Sequence, residues 1–143
     1  MAAHTSGSVG GGGATCNYPV HFIKRLPCRG LILSTFALRL LTPIGAWRGH
    51  AELVRALAGH GACVKTPTYG SATPLYIAAR QGHADVAKVL VEFGAYVNTA
   101  VNNGTTPIYV ASMMGHAKTV RTLGDLGACV TSPDTNGCTP IFV

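Results

Sequence analysis

The residues of this chain best suited to metal chemistry are its six histidines. Three of them, His50, His83 and His116, recur 33 residues apart, so each belongs to a different copy of a repeated unit. No two histidines show the H-x-x-x-H spacing that places both imidazoles on one helix face, and no nearby thiols complete a zinc set. We therefore predict no metal centre and no cofactor.

One short motif imitates the site of a zinc enzyme. His50-Ala51-Glu52 has the His-x-Glu order in which zinc deaminases place a metal ligand and a proton-transferring carboxylate. Such a site also needs a downstream Pro-Cys-x-x-Cys, whereas Pro27-Cys28 lies upstream and lacks the second cysteine. No serine lies in a G-x-S-x-G elbow, and the five carboxylates are dispersed along the chain rather than paired. The sequence therefore predicts a protein that is not an enzyme.

The five cysteines are an odd number and include no C-x-x-C pair. Cys63 and Cys129 occupy the same position two units apart. Stacked helical layers are roughly 8–10 Å apart, which places these thiols about 16–20 Å from each other, while a disulfide needs Cα atoms within about 7 Å. We predict free thiols in a reducing compartment, and hence a cytoplasmic location.

The repeat itself indicates what positions these residues. Three dipeptides keep the 33-residue period: Thr-Pro at 73, 106 and 139, Gly-His at 49, 82 and 115, and Gly-Ala at 61, 94 and 127. A period of 20 to 50 residues indicates a solenoid, in which each unit buries its apolar face against its neighbours. A solenoid of this kind favours a binding surface over an enclosed active site.

The sequence pattern of each unit predicts two short helices. Thr before Pro favours a helix start, because the hydroxyl caps free N–H groups and Pro at the first helical position has none to lose. First helices are predicted over 74–81 and 107–114. Second helices are predicted over 83–93 and 116–126, where apolar residues recur at helical spacing.

The connections between units carry glycine signals. Gly94 and Gly127 suit left-handed caps at the ends of the second helices. Asn103-Gly104 and Asn136-Gly137 favour tight turns. Helical pairs joined by hairpin-like loops are therefore expected.

The basic charge of the chain lies almost entirely in its N-terminal part. The formal charge is +6, and residues 1–48 hold five of the eleven Lys and Arg residues and none of the five Asp and Glu residues. The repeats are thus nearly neutral, which argues against nucleic acid as their partner. Residues 1–30 are rich in Gly and Ser near the start and are predicted to form a flexible tail.

Residues 31–48 include the most apolar stretch of the chain. It is shorter than the ~20 residues that span a bilayer, and Arg39 and Pro43 interrupt it, so a membrane segment is not expected. An organelle-targeting segment is an alternative, because the N-terminus is basic and free of acidic residues. We favour a helix near 31–41 that covers the open face of the first repeat.

The 33-residue unit closely resembles the ankyrin repeat. The resemblance depends on Thr-Pro-Leu-Tyr-Ile-Ala-Ala at 73–79, Gly-His at 82, and Gly-Ala-Tyr-Val-Asn at 94–98. It implies an all-α repeat solenoid of stacked helix-turn-helix units joined by β-hairpin-like loops, with the recurring histidines hydrogen-bonded around the turn between helices. The array would cover residues 49–143: a partial repeat at 49–65, full repeats at 66–98 and 99–131, and a truncated repeat at 132–143.

Two of the departures of this chain from the family pattern concern the inner helices. Tyr76 and Tyr109 stand where the family has histidine. Thr42-Pro43 precedes Gly49-His50 by seven residues instead of the usual nine. The first inner helix is therefore predicted to be two residues shorter, or to be replaced by unrelated sequence.

The resemblance also implies a function. Ankyrin repeats bind proteins through their hairpin tips and the exposed face of the inner helices, so a protein-binding adapter is expected. The alternative is an accessory region of a larger enzyme, such as a kinase or ubiquitin-ligase component, because the sequence stops at Val143 within a repeat. The implied contact positions are Trp47, Arg48, Tyr69, Arg80, Gln81, Asn102, Asn103, Thr105, Met113, Met114, Thr135 and Asn136.

Overall fold

A computed structural model of the chain describes residues 32–68 and 70–140, with side chains from residue 39 onward. The predicted tail at 1–30, Tyr69 and the last three residues lie outside the described residues. The described part contains six α-helices and no strand, which confirms the all-α class. The helices are α1 (Ile32–Arg48), α2 (Ala51–Gly59), α3 (Pro74–Gln81), α4 (Ala84–Glu92), α5 (Pro107–Met113) and α6 (Ala117–Asp125).

The helices form two rows. The inner row consists of α1, α3 and α5, and the outer row of α2, α4 and α6; neighbours within each row are in contact. Each inner helix also packs against the outer helix that follows it in sequence. This is the predicted stack of helical pairs.

The helix starts follow the Thr-Pro signals in two of the three layers. The Thr73 hydroxyl accepts a hydrogen bond from the backbone N–H of Tyr76 at 3.2 Å, and Thr106 caps α5 in the same way through Tyr109. A capping bond of this kind stabilises a helix by about 1 kcal/mol. The predicted range of α3 is confirmed, and α5 ends one residue before its predicted end.

The first inner helix differs from the prediction. It was expected to be short or replaced, whereas α1 is one 17-residue helix that runs through Pro43. The helix expected near 31–41 is present from Ile32 onward as the first part of α1, and its role as a cover for the first repeat stays a prediction. Pro43 lacks the N–H that would bond to the preceding turn. The surrounding Leu, Ala and Arg residues are good helix formers, and α1 packs against both α2 and α3.

A continuous core joins the three layers. Its large fully buried side chains lie on both rows, with Leu75 and Ile108 on inner helices and Val86, Leu90 and Leu123 on outer ones. The inner helices bury small residues at their mutual contacts, which lets their backbones approach closely. These include Ala46, Ala78, Ala79 and Ala111.

The loops between layers are tight turns rather than strands. Two backbone hydrogen bonds close each of them. The outer bond runs from the N–H of Thr68 to the carbonyl of Ala72 at 2.9 Å, from Val101 to Thr105 at 3.0 Å and from Asp134 to Cys138 at 2.9 Å. Gly104 and Gly137 have left-handed φ angles, which confirms the Asn-Gly turns.

The cysteines differ from one another in state. Cys129 and Cys138 are free and exposed, as predicted. Cys63 is buried and takes part in a disulfide bond, so the prediction of a free thiol is wrong there. Layer spacing excludes only the pairing of Cys63 with Cys129, and a bonded Cys63 removes the reason for inferring a reducing compartment.

Two properties of the described residues bear on membranes and on metal ions. None of their helices combines the length and apolar character needed to cross a membrane. Within the same residues, no three His, Cys, Asp or Glu side chains are grouped closely enough to hold a metal ion.

Candidate functional site

A groove lies between α1 and α3 in the described part of the chain. It encloses a cavity of about 360 Å³. Pro43 and Ala72 complete the cavity wall. Trp47 and Ile44 are 52% and 51% exposed, so the groove presents apolar surface to solvent. The other lining side chains are Tyr76, Ile77, Arg80 and Gln81.

The histidines of successive layers hold this groove in place. His83 donates a hydrogen bond from Nε2 to the Trp47 carbonyl at 3.1 Å, and His116 does the same to the Arg80 carbonyl at 3.0 Å. A carbonyl oxygen only accepts, so Nε2 carries the hydrogen in both. The role implied by the family resemblance is thus confirmed for both residues. Each bond fixes the end of an inner helix from the following layer.

Glycine at the turns allows these contacts. Gly49 and Gly82 have φ angles of +78° and +80°. A Cβ added to Gly49 would lie 2.6 Å from the His83 ring, and one added to Gly82 would lie 2.7 Å from Nδ1 of His116. Glycine is therefore needed for both its backbone conformation and its small size.

Charge is distributed unequally between the two rows. The inner helices contain no acidic residue. The described ion pairs join residues of the outer row: Arg55 with Glu92 at 3.0 Å and Lys118 with Asp85 at 3.4 Å. The inner row instead presents basic side chains that pair with no described carboxylate. These are Arg39, Arg48 and Arg80, all exposed.

Arg48 lies beside the aromatic part of the groove. Its guanidinium carbon is 5.4 Å from the centre of the Trp47 ring, a cation–π distance. The exposed indole therefore has a positive charge on one side. Arg80 lines the cavity together with Trp47.

Met113 and Met114 continue the inner row at the end of α5. They are 49% and 43% exposed. Methionine adapts its shape to different apolar partners. The predicted row of Trp47, arginine and methionine positions is thus exposed along the inner helices.

The hairpin-tip positions are mostly engaged with one another. Asn102 accepts a hydrogen bond from the Ser71 hydroxyl at 2.6 Å. The Asn103 carbonyl accepts one from the Thr135 N–H at 3.1 Å. Asn136 donates its N–H to Asp134 Oδ1 at 2.8 Å. These four predicted tip residues are exposed. The bonds of Asn102, Asn103 and Thr135 join neighbouring loops, whereas the bond of Asn136 lies within its own loop.

Thr105 does not fit the predicted surface. Its side chain is 4% exposed, and its hydroxyl donates to Asn103 Oδ1. The residue follows the turn and points into the stack, so a partner cannot reach its side chain. Prediction by position within the repeat counted it as a tip residue because it adjoins the turn in sequence.

Sequence reasoning missed five residues of the groove: Pro43 and Ala72 of its wall, and the larger Ile44, Tyr76 and Ile77. Ile44 precedes Trp47 by three residues, and Ile77 precedes Arg80 and Gln81 by three and four. This spacing places each of them beside a predicted residue on one helix face. The signal was therefore present in the sequence, but apolar residues of a repeat are ordinarily assigned to the core.

Tyrosine at one family histidine position makes a contact with the last described loop. The Tyr109 hydroxyl donates to Asp134 Oδ2 at 3.3 Å. Burial raises the pKa of Tyr109 above its ordinary value, and the nearby Asp134 charge adds to the shift. Hydrogen bonds, first from the Cys138 backbone N–H, hold the pKa of Asp134 below its usual range.

Comparison with known proteins agrees with this architecture. A search of curated proteins finds no match to the chain. A family model described as ankyrin repeats, in three copies, matches residues 44–134, well over half of the chain. With its stacked helical pairs and its histidine-bound turns, the chain belongs to the ankyrin repeat family.

Proposed function

We propose that this protein is a non-catalytic adapter that binds another protein through the exposed face of its inner helices. Ankyrin repeats are generally protein–protein interaction modules. The observation that carries the proposal is the groove between α1 and α3, with half-exposed Ile44 and Trp47 at its surface. Exposed apolar surface of this kind is typical of interaction sites.

The composition of the inner row supports the same conclusion. Trp, Tyr, Met and Arg are enriched where proteins meet and contribute much of the binding energy. Trp47, Arg80 and Met113 are exposed on three successive inner helices. They span all three layers, so a partner lying along the row would contact each of them.

A capture experiment tests the proposal. Tagged full-length chain is expressed in cells, and the bound proteins are quantified by mass spectrometry. We expect Arg80→Glu and Met113→Asp each to reduce capture of a common set of proteins at least about tenfold, because both introduce a carboxylate into the contact row. Circular dichroism should remain that of the parent chain, since both side chains are exposed.

Arg121→Glu is the matched control. Arg121 is exposed on outer helix α6, so its variant carries the same charge change on the opposite row. The proposal fails if the inner-row variants capture the same proteins as the parent chain, or if the control loses the same set.

The cytoplasmic location stays a prediction, with organelle targeting by the basic N-terminal segment as the alternative. Fluorescent fusions of the full chain and of a chain lacking residues 1–47 distinguish the two. A diffuse signal from both agrees with the cytoplasm. Concentration of only the full chain in an organelle establishes targeting.

A further inference from the structure

We infer that the groove between α1 and α3 docks an acidic peptide segment that carries a large apolar anchor side chain. This inference rests on the proposed function and specifies the partner of the same surface. It depends on two features of the groove: its apolar cavity, and nearby arginines that form no ion pair with a carboxylate of the described residues.

The cavity determines the anchor. Ile44, Trp47, Tyr76 and Ile77 provide its apolar walls. Its volume of about 360 Å³ equals roughly twelve waters at about 30 Å³ each, which is room for one or two large side chains. Burying apolar surface contributes about 25 cal/mol per Å², so a leucine or aromatic side chain is the favoured occupant.

The arginines determine the charge of the peptide. Arg80 lines the cavity, Arg48 lies over the Trp47 ring, and Arg39 is one turn before Pro43 of the cavity wall. None of the three forms an ion pair with a carboxylate of the described residues. Guanidinium groups bind carboxylates through two parallel hydrogen bonds. Acidic residues on both sides of the anchor would therefore satisfy them.

The same surface fits a nucleic acid poorly. Binding to a phosphate backbone requires many basic contacts along a continuous track. Beyond Arg80 the inner row continues with Met113 and Met114 rather than with basic residues. A short acidic segment with one apolar anchor matches this arrangement, whereas an extended polyanion does not.

Selection from a displayed library identifies such a peptide directly. Random peptides of about twelve residues are selected on the full-length chain. We expect the enriched peptides to be rich in Asp and Glu and to share one large apolar position. Trp47 is the sole tryptophan, so its emission should change when a synthetic enriched peptide lacking tryptophan is added.

Variants and salt then separate the two features. Arg80→Glu should lower the affinity for the peptide by about tenfold or more. Arg80→Lys keeps the charge, so it should lower the affinity less. Arg121→Glu should leave the affinity unchanged. Raising the salt from about 0.05 M to about 0.5 M should weaken binding several-fold, because exposed charge pairs are screened.

Other results overturn the inference. Enriched peptides that are neutral or basic would show that the groove does not select acidic partners. Acidic peptides that leave Trp47 emission unchanged, or that tolerate Arg80→Glu, bind elsewhere. A version with phosphoserine in place of one glutamate that binds more than about tenfold tighter would reassign the groove to phosphopeptides.

Failure of the inference is distinguishable from failure of the proposed function. If no peptide in the library binds, the inference that the groove docks a peptide is refuted. The capture experiment with Met113→Asp still decides whether the inner row binds a folded protein. If capture also proves insensitive to inner-row variants, the proposed function fails with it.

Discussion

At the scale of single residues, the hydrogen bonds made by side chains decide how exposed groups behave. Cys129 illustrates this. It lies in the loop after α6, and its Sγ is 3.5 Å from the Thr131 hydroxyl. Hydrogen bonds lower the pKa of the Cys129 thiol to about 7, first from the Ser132 side chain and then from Thr131. An exposed thiol with this pKa is partly thiolate at neutral pH and is therefore nucleophilic.

We expect the alkylation of Cys129 to be half-maximal near pH 7. The rate should rise with pH, since only the thiolate reacts. Peptide mapping by mass spectrometry after brief iodoacetamide treatment between about pH 5 and about pH 9 measures the midpoint for this residue alone. Ser132→Ala should move the midpoint upward. A midpoint in the parent chain near the ordinary value of about 8.5 would contradict the prediction.

At the scale of elements, the turn between inner and outer helices couples one layer to the next. Gly82 ends α3 in a left-handed conformation, and the His116 ring packs against it while bonding to Arg80. Gly115 occupies the equivalent turn of the next layer with a φ of +76°, but no atom of the described residues lies within 4 Å of an added Cβ. The two turns thus share a backbone conformation and differ in their contact with a following histidine.

Alanine substitutions at Gly82 and Gly115 distinguish the cost of backbone strain from the cost of a steric clash. Gly115→Ala should lower the free energy of unfolding by about 1–2 kcal/mol, the cost of a left-handed conformation for a residue with Cβ. Gly82→Ala should cost more, because its Cβ would also lie 2.7 Å from His116 Nδ1. Urea denaturation followed by circular dichroism measures both. Equal losses would mean that the His116 ring moves aside at no cost.

At the scale of the whole molecule, the main contacts between the described helices join each layer to its neighbours. The outer helix α4 packs against both α2 and α6, whereas α6 packs on α4 and α5. Leu90 of α4 and Leu123 of α6 are both fully buried. In a linear array of this kind, stability is close to a sum of layer terms and interface terms, so the position of a defect along the stack matters.

Truncating these two leucines should have different consequences for the first layer. Leu90→Ala and Leu123→Ala should each cost about 2–5 kcal/mol through lost burial and the cavity left behind. Trp47 fluorescence reports on the first layer and circular dichroism on all helices. In urea denaturation, Leu90→Ala should lower the midpoints of the Trp47 and circular dichroism curves together. Leu123→Ala should lower the circular dichroism midpoint more than the Trp47 midpoint. If both variants lower the Trp47 midpoint equally, the layers unfold as a single unit.

Most of the fold could be predicted because its signals are local. Thr73-Pro74 favours a capped helix start through residues adjacent in the chain, and Gly94 and Gly104 mark a cap and a turn by their own conformational freedom. The 33-residue period then places equivalent helices side by side. The bounds of α3 followed from these signals alone.

The first inner helix could not be predicted in the same way. Thr42-Pro43 carries the same local signal as Thr73-Pro74, yet it lies inside α1. Whether the helix extends before the proline depends on packing against α2 and α3, which lie later in the chain. A local signal competes with tertiary contacts, and here the contacts prevail.

The sequence by itself determined the repeat, the helical pairs and the family, because period, caps and turns depend on residues close together in the chain. Only the tertiary structure decided which side chains form a surface. The groove joins Ile44 and Trp47 of one layer to Ile77 and Arg80 of the next, and the same packing buries Thr105 beside an exposed turn. Exposure depends on what covers a residue from other layers, and that is a property of the packed stack.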